Sequence, residues 1–315
     1  MFLVVSLSHT LMNYHALGAS SIRVSAISLG CMSLGKEEAE NTRLIHRALE
    51  LGINFFDTAD LYDQGLNERT VGKILRSKRD QVVLATKVGN QWRADGSGWD
   101  WNPRKEYITG AVEASLARLQ TDYIDLYQLH GGTMDDPIDE IIETFQRLQQ
   151  QGKIRCYGIS SIRPRVIREY VRRSGNCSVS GIVSVMLQYS LLDRRGEESV
   201  LPLLAEKGIS VLARGALAKG LLINKPAAPY LDYGAEEVAR AANAIHSLSG
   251  KNREPAQTAL QFVLRNPAVT TAVTGLRTIE QLENLGGMTE VPGLTDDDMD
   301  VLRSVLPVHF YDPGL

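Results

Sequence analysis

Eight short runs rich in β-branched and apolar residues, each followed by an amphipathic stretch, divide this 315-residue chain into strand–helix units. The runs fall at 27–30, 53–57, 82–87, 124–130, 154–159, 182–188, 210–213 and 271–274. Helical spacing of apolar residues is expected over 37–51, 67–75, 103–119, 137–150, 198–207, 236–248 and 255–266. Further helices are expected from Pro164, Thr278 and Thr295. Strand–helix alternation without a domain-sized linker favours a (β/α)8 TIM barrel over an open doubly wound sheet. No G-x-G-x-x-G motif follows any run, which weakens the dinucleotide-fold alternative. The expected architecture is α/β: one barrel over 12–315, with an N-terminal β-hairpin cap and extra C-terminal helices. Residues 1–11 read as an extension outside the domain, because they are apolar, short and without the basic start of a signal peptide.

Composition narrows the function classes. At 43% apolar the chain can bury a sizeable core, and a net charge of −3 with pI about 6.1 argues against a nucleic-acid binder. Cys31, Cys156 and Cys177 are far apart and show no metal-ligating or CxxC spacing, so reduced thiols in a cytoplasmic protein are expected. No apolar run approaches the roughly 18 residues that span a bilayer, so no membrane partner is expected.

In such barrels the chemistry sits at the C-terminal ends of the strands. Asp57, Lys87 and His130 end three consecutive runs, and Tyr62 follows Asp57 closely. Ser160, Gln188, Arg214 and Gly275 occupy the equivalent places on later runs. Taken singly, each residue has a plain structural reading: a hydrogen-bonded loop start, a solvated strand-end lysine, a rim histidine. Their grouping at adjacent strand ends points to a proton donor for a carbonyl oxygen. A free phenol holds its proton too tightly to donate well at neutral pH. An ammonium about 4 Å away favours a phenolate by roughly 4 kcal/mol at an effective dielectric near 20. An aspartate beside that ammonium keeps it charged, and a histidine orients the carbonyl. The carbon of that carbonyl needs a hydride, which only a cofactor supplies. Trp92, with Trp99 and Trp101 in the loop 89–102, is a candidate wall of the substrate pocket.

These segments resemble the aldo-keto reductases, and most closely the bacterial general-oxidoreductase branch related to potassium-channel β subunits. The similarity runs from about Met12 to the end. It is carried by Gly52-Ile53-Asn54-Phe55-Phe56-Asp57-Thr58-Ala59, Leu84-Ala85-Thr86-Lys87, Asp125-Leu126-Tyr127-Gln128-Leu129-His130, Gly158-Ile159-Ser160-Ser161, Gln188-Tyr189-Ser190 and Gly275-Leu276-Arg277-Thr278-Ile279-Glu280-Gln281. The resemblance implies NADPH/NADP+ as cofactor and a small-molecule carbonyl substrate, in a monomer or weak oligomer. It makes Tyr62 the acid, Lys87 and Asp57 its tuning pair, and His130 the carbonyl orienter. Ser160, Ser161 and Gln188 would hold the carboxamide, with Gly30, Cys31 and Met32 against the nicotinamide side and Asp57 close to it. Gly215, Leu217 and Lys219 are further implied cofactor contacts, and Gly275, Arg277, Gln281 and Asn284 would hold the adenosine end. For Arg277 the chemistry agrees, since a guanidinium suits a 2′-phosphate.

Three positions depart from the family pattern. Arg214 stands where relatives carry an aromatic ring stacked on the nicotinamide, Ala216 replaces a usual proline, and the segment after Gln281 is one residue short. The last departure weakens the assignment of Asn284. Two other readings stay open: a Schiff-base aldolase using Lys87, and a cofactor-sensing regulatory protein with slow turnover.

Overall fold

The computed structural model describes residues 12–175, 181–250, 253–285, 287–288 and 290–311. The expected extension 1–11 and Cys177 lie outside them. The strands in chain order are β1 (Tyr14–Ala16), β2 (Arg23–Ser25), β3 (Ile27–Gly30), β4 (Phe55–Asp57), β5 (Val83–Val88), β6 (Asn90–Trp92), β7 (Trp99–Trp101), β8 (Ile124–Leu129), β9 (Ile154–Ser160), β10 (Ile182–Gln188), β11 (Ser210–Arg214) and β12 (Val269–Thr274). Eight of them close a parallel barrel in the order β3-β4-β5-β8-β9-β10-β11-β12, with β12 returning to β3. The expected TIM barrel is therefore the fold. β1 and β2 pair antiparallel as a hairpin, with Tyr14 opposite Ser25.

The helices α1 (Glu38–Glu50), α2 (Leu66–Leu75), α3 (Lys105–Leu119), α4 (Ile138–Gln150), α5 (Pro164–Arg173), α6 (Val200–Glu206), α7 (Ala235–Leu248), α8 (Pro255–Leu264), α9 (Ile279–Glu283) and α10 (Asp296–Ser304) accompany the strands. α1 buries one stripe, turning Leu44, Ile45 and Ala48 inward, whereas α8 is buried all round from Gln257 to Val263. Thr278 and Thr295 cap the last two by accepting from the backbone N–H groups of Gln281 and Asp298. α3 begins at Lys105 rather than at Pro103. Asn102 Oδ1 accepts from Arg104 N at 3.2 Å and Arg104 is extended, so the first helical turn is delayed.

Strand alternation decides what fills the barrel. Phe55, Ala85, Leu126, Cys156, Met186, Leu212 and Val273 form one buried cluster, and Leu17 and Val24 of the N-terminal hairpin belong to the same cluster. Residues two further along the strands share the inward face. On β4, β5, β8, β10 and β11 they are Asp57, Lys87, Gln128, Gln188 and Arg214, whereas on β9 that place is Gly158 and Ser160 lies two residues beyond it. One apolar layer thus supports a polar layer at the C-terminal mouth. The register brings the polar layer together across strands, with Gly30 beside Asp57, Lys87 beside Gln128, and Gln188 beside Arg214.

The loop 89–102 is not irregular, as expected, but carries the β6–β7 hairpin, with Asn90 opposite Trp101 and Trp92 opposite Trp99. Gly89 makes it possible. Its φ is +125°, and a Cβ there would stand 2.5 Å from the Trp101 ring. Arg93 and Asp100 pair at 2.6 Å within it. Three-residue strands built largely of Asn, Gln, Asp and Trp give little β-branched signal, so the pattern is invisible in sequence.

Leu17 is fully buried beneath the barrel layer. Leu17→Ala should cost about 2–5 kcal/mol and lower the urea unfolding midpoint without changing the slope. An unchanged midpoint would show that the hairpin contributes no essential packing.

Candidate active site

The segment after β4 is built to present one phenol. Thr58 N donates to Ala85 O at 2.9 Å, and Tyr62 N to Ala59 O at 3.2 Å. Asp63, Gln64 and Gly65 then follow with φ of 48°, 54° and 83°. Three consecutive left-handed residues turn the chain directly from Tyr62 into α2. At Gly65 a side chain would also meet Arg118 Cδ at 2.7 Å. Thr58 Oγ1 donates to Asn67 Oδ1 at 2.6 Å, and Asn67 Nδ2 donates to Cys31 O at 2.8 Å. The ends of β3 and β4 are thereby tied to the start of α2.

Lys87 is only 1% exposed. Its Nζ donates to Asp57 Oδ2 at 2.6 Å, to Thr58 O at 2.7 Å and to Tyr62 Oη at 3.2 Å. An ammonium has three protons, and all three are directed at acceptors. Burial pushes Lys87 down, but Asp57 and then Tyr62 outweigh it and hold the ammonium above its ordinary range. Gln128 Nε2 donates to Asp57 Oδ1 at 3.3 Å, so both carboxylate oxygens are engaged. A Schiff base requires a neutral amine with a free lone pair, and this arrangement opposes one.

His130 follows β8, with its N–H on Val88 O at 2.7 Å. Its ring lies edge-on to Tyr62, 5.9 Å between centroids. Burial, with Lys87 and Arg214 adding to it, pushes the imidazole down to about 3. His130 is therefore neutral at physiological pH. Its Nδ1 is buried without a hydrogen-bond partner among the described residues.

The remaining expected residues ring the same mouth. Arg214 donates to Gln188 Oε1 at 3.0 Å, and Gln188 Nε2 donates to Tyr230 Oη at 3.0 Å. The guanidinium that stands at the position of the relatives' aromatic ring is tied to its strand neighbour, while its charge reaches Asp57 and His130. Ser160 is half-buried; Ser161 is buried, with its N–H on Met186 O and its Oγ accepting from Arg163 N. Gly30 leads into a single 3-10 turn over Cys31–Ser33, in which Cys31 is buried and Met32 is 68% exposed. Gly215, with φ +73°, opens a loop in which Leu217 is half-buried and Lys219 exposed. Ala216, despite replacing a proline, is firmly buried.

At the other end of the mouth, Gly275 packs over Ser33. Arg277 and Gln281 are joined by Arg277 N donating to Gln281 Oε1 at 2.8 Å. Asn284 is exposed at the end of α9. Trp92 donates its indole N–H to Leu61 O at 3.1 Å, one residue before Tyr62. Sequence reading missed Thr58 O, Asn67, Gln128 and Tyr230.

A closed parallel barrel with an ion pair, a phenol and an imidazole grouped at its C-terminal strand ends defines an enzyme of the TIM-barrel type. The sequence pattern described as the Aldo/keto reductase family matches residues 26–307, and the chain belongs to that family of oxidoreductases. It is 48% identical to the uncharacterized oxidoreductase YqkF of Bacillus subtilis, over 93% of this chain and 96% of that protein. It is 31% identical to the aldo-keto reductase YhdN of the same organism, with 96% of each covered. Among solved structures, the holo form of aldo-keto reductase AKR11C1 from Bacillus halodurans superposes with a TM-score of 0.88 at 47% identity, covering 96% of this chain and 99% of that one.

The Lys87–Asp57 pair can be tested without assuming a reaction. Lys87→Met and Asp57→Leu should each cost about 3–5 kcal/mol, because each strands a buried charge. The double variant should cost clearly less than the sum in urea unfolding. Additivity within about 0.5 kcal/mol would show the two to be independent.

Proposed function

We propose that the protein is an NADP(H)-dependent carbonyl reductase in which Tyr62 is the general acid. The observation that carries this reading is the Lys87 ammonium 3.2 Å from the Tyr62 hydroxyl, with Asp57 behind it. The mouth suits a dinucleotide. Met32 offers an exposed apolar face beside the polar layer, and Arg277 forms no ion pair among the described residues. The unpartnered Nδ1 of His130 marks a polar group facing incomplete company. Ser160, Ser161 and Gln188 would hold the carboxamide, with Gly30, Cys31 and Met32 along the same side. Gly215, Leu217 and Lys219 would follow the cofactor outward to Gly275, Arg277, Gln281 and Asn284. NADPH bound there supplies a hydride to the carbonyl carbon.

The chain's own residues handle the proton. Tyr62 Oη donates to the carbonyl oxygen as negative charge develops on it, and the alcohol forms. Lys87 stabilises the phenolate that remains, and Asp57 keeps Lys87 protonated. His130, being neutral, has no imidazolium proton to give; it serves as a hydrogen-bonding guide for the carbonyl. This division leaves Tyr62 as the acid. Arg214 adds positive charge at the mouth, which disfavours a cationic oxidised ring relative to a neutral reduced one. Trp92, braced on Leu61, would border the substrate.

Tyr62→Phe should reduce kcat for 4-nitrobenzaldehyde by roughly 10²–10⁴ while NADPH affinity barely changes. A near wild-type rate would remove Tyr62 from the reaction. Arg277→Ala should weaken NADPH binding about 10–150-fold, the worth of a charge-assisted hydrogen bond of about 1.5–3 kcal/mol. NADH affinity should be preserved in fluorescence titration, and equal losses for both cofactors would overturn the phosphate assignment.

A further inference from the structure

A cleft of about 460 Å³ opens on the outside of the barrel, between the β6–β7 hairpin and α3. Its lining grades from exposed to buried. Gly110 and Ala114 of α3 are exposed at the rim, Trp92 and Tyr107 are half-buried, and Asp60 and Asn90 are buried. The graded exposure makes Asp60 and Asn90 its inner end.

Asp60 is 8% exposed, and its Oδ1 is buried without a hydrogen-bond partner among the described residues. Its Oδ2 accepts from the Tyr107 hydroxyl at 3.4 Å, and the Leu61 backbone also acts on the carboxyl. That hydroxyl has one proton, and Asn90 O competes for it at 3.2 Å. The one guanidinium on the lining, Arg118, is already committed to Glu68 Oε2 at 2.6 Å and to Ser115 Oγ at 3.0 Å. Glu106 adds a further carboxylate at the rim. The charges around the cleft are thus three carboxylates, Asp60, Glu68 and Glu106, against Arg118. Burial first, then Glu68, pushes the Asp60 carboxyl up to about 7, against the smaller opposing effects of Arg118, the Leu61 backbone and Tyr107. A buried carboxylate oxygen without a donor is costly, and a cation brought to it removes the cost.

We propose that this cleft binds a small organic ammonium, with Asp60 as its counter-ion and Trp92 and Tyr107 as aromatic walls. An ammonium supplies protons to Asp60 Oδ1 and gains from the faces of the two aromatic rings. A metal ion would want several oxygen ligands, and Asp60 is the one buried carboxylate on the lining. An anion would meet Asp60 and Glu106. The small side chains at the rim admit an apolar stem, for a Cβ at Gly110 meets nothing within 4 Å. The inner wall is also the turn that carries Tyr62, since Asp60 N donates to Lys87 O at 3.4 Å and Trp92 braces Leu61.

The test uses the full-length protein, with and without saturating NADPH, and benzylammonium as probe in isothermal titration, with benzyl alcohol as its neutral isostere. Benzylammonium should bind saturably at pH 8, and the alcohol at least tenfold more weakly. Affinity should fall about tenfold between pH 8 and pH 6, the change in ionised fraction for a carboxyl titrating near 7. Asp60→Asn should weaken binding at least tenfold. Gly110→Phe, which fills the rim from an exposed helical site, should abolish it with no loss in the thermal unfolding midpoint. Absence of saturable binding, equal binding of benzyl alcohol, or binding untouched by Gly110→Phe would each overturn the proposal.

Discussion

Lys87 sets the terms for its surroundings. A buried ammonium is tolerated only where every proton meets an acceptor and a counter-charge lies close. Three groups of one short segment provide that: the carboxylate of Asp57 at the end of β4, the carbonyl of Thr58 just beyond it, and the phenol of Tyr62. None is a sequence neighbour of Lys87. They meet because β4 and β5 are adjacent and parallel, with Asp57 in register with Ala85. Burial, with the same charge adding to it, keeps His130 neutral, and Gln128 completes the shell around Asp57. A loss at any of these points leaves a polar group buried and unmatched, so the site is coupled to the stability of the barrel.

Much of this was legible in the chain. All eight barrel strands fall on the runs expected from sequence, and the side chains ending them line one mouth. The reason is geometric. A buried parallel strand reads as a continuous apolar run, and a polar residue at its C-terminal end stands out against it. Asp57, Lys87 and His130 are conspicuous on that ground. Gln128 is not, because a glutamine inside an apolar run carries no sign of which face it occupies until the register is known.

The illegible parts share a cause: each is decided by contacts distant in sequence. The β6–β7 hairpin exists because Gly89 leaves room for Trp101, twelve residues on. Asn67 reads as a helix-start residue, and its bond to Cys31 O joins α2 to the turn after β3 across 36 positions. Arg214 looked like a substitute for a flat ring. The neighbouring strand supplies Gln188 at hydrogen-bonding distance, and Tyr230 holds Gln188 in turn. Propensity and spacing are silent about such pairings.

The run of left-handed residues from Asp63 to Gly65 has a bearing on how a chain of this kind diversifies. The turn fixes the bearing of Tyr62 through the backbone, with both of its ends anchored in regular structure. Few side chains tolerate those dihedral angles, so the turn is conservative by conformational necessity rather than by contact with any ligand. The neighbouring rim has left-handed residues of its own, at Gly89 and at Gly215, Ala218 and Lys219, but the β6–β7 hairpin and the loop after β11 leave the barrel and return to it without carrying Asp57, Lys87, Tyr62 or His130. Rim and frame are separable modules, and a lineage can rework what approaches the mouth while inheriting its floor unchanged.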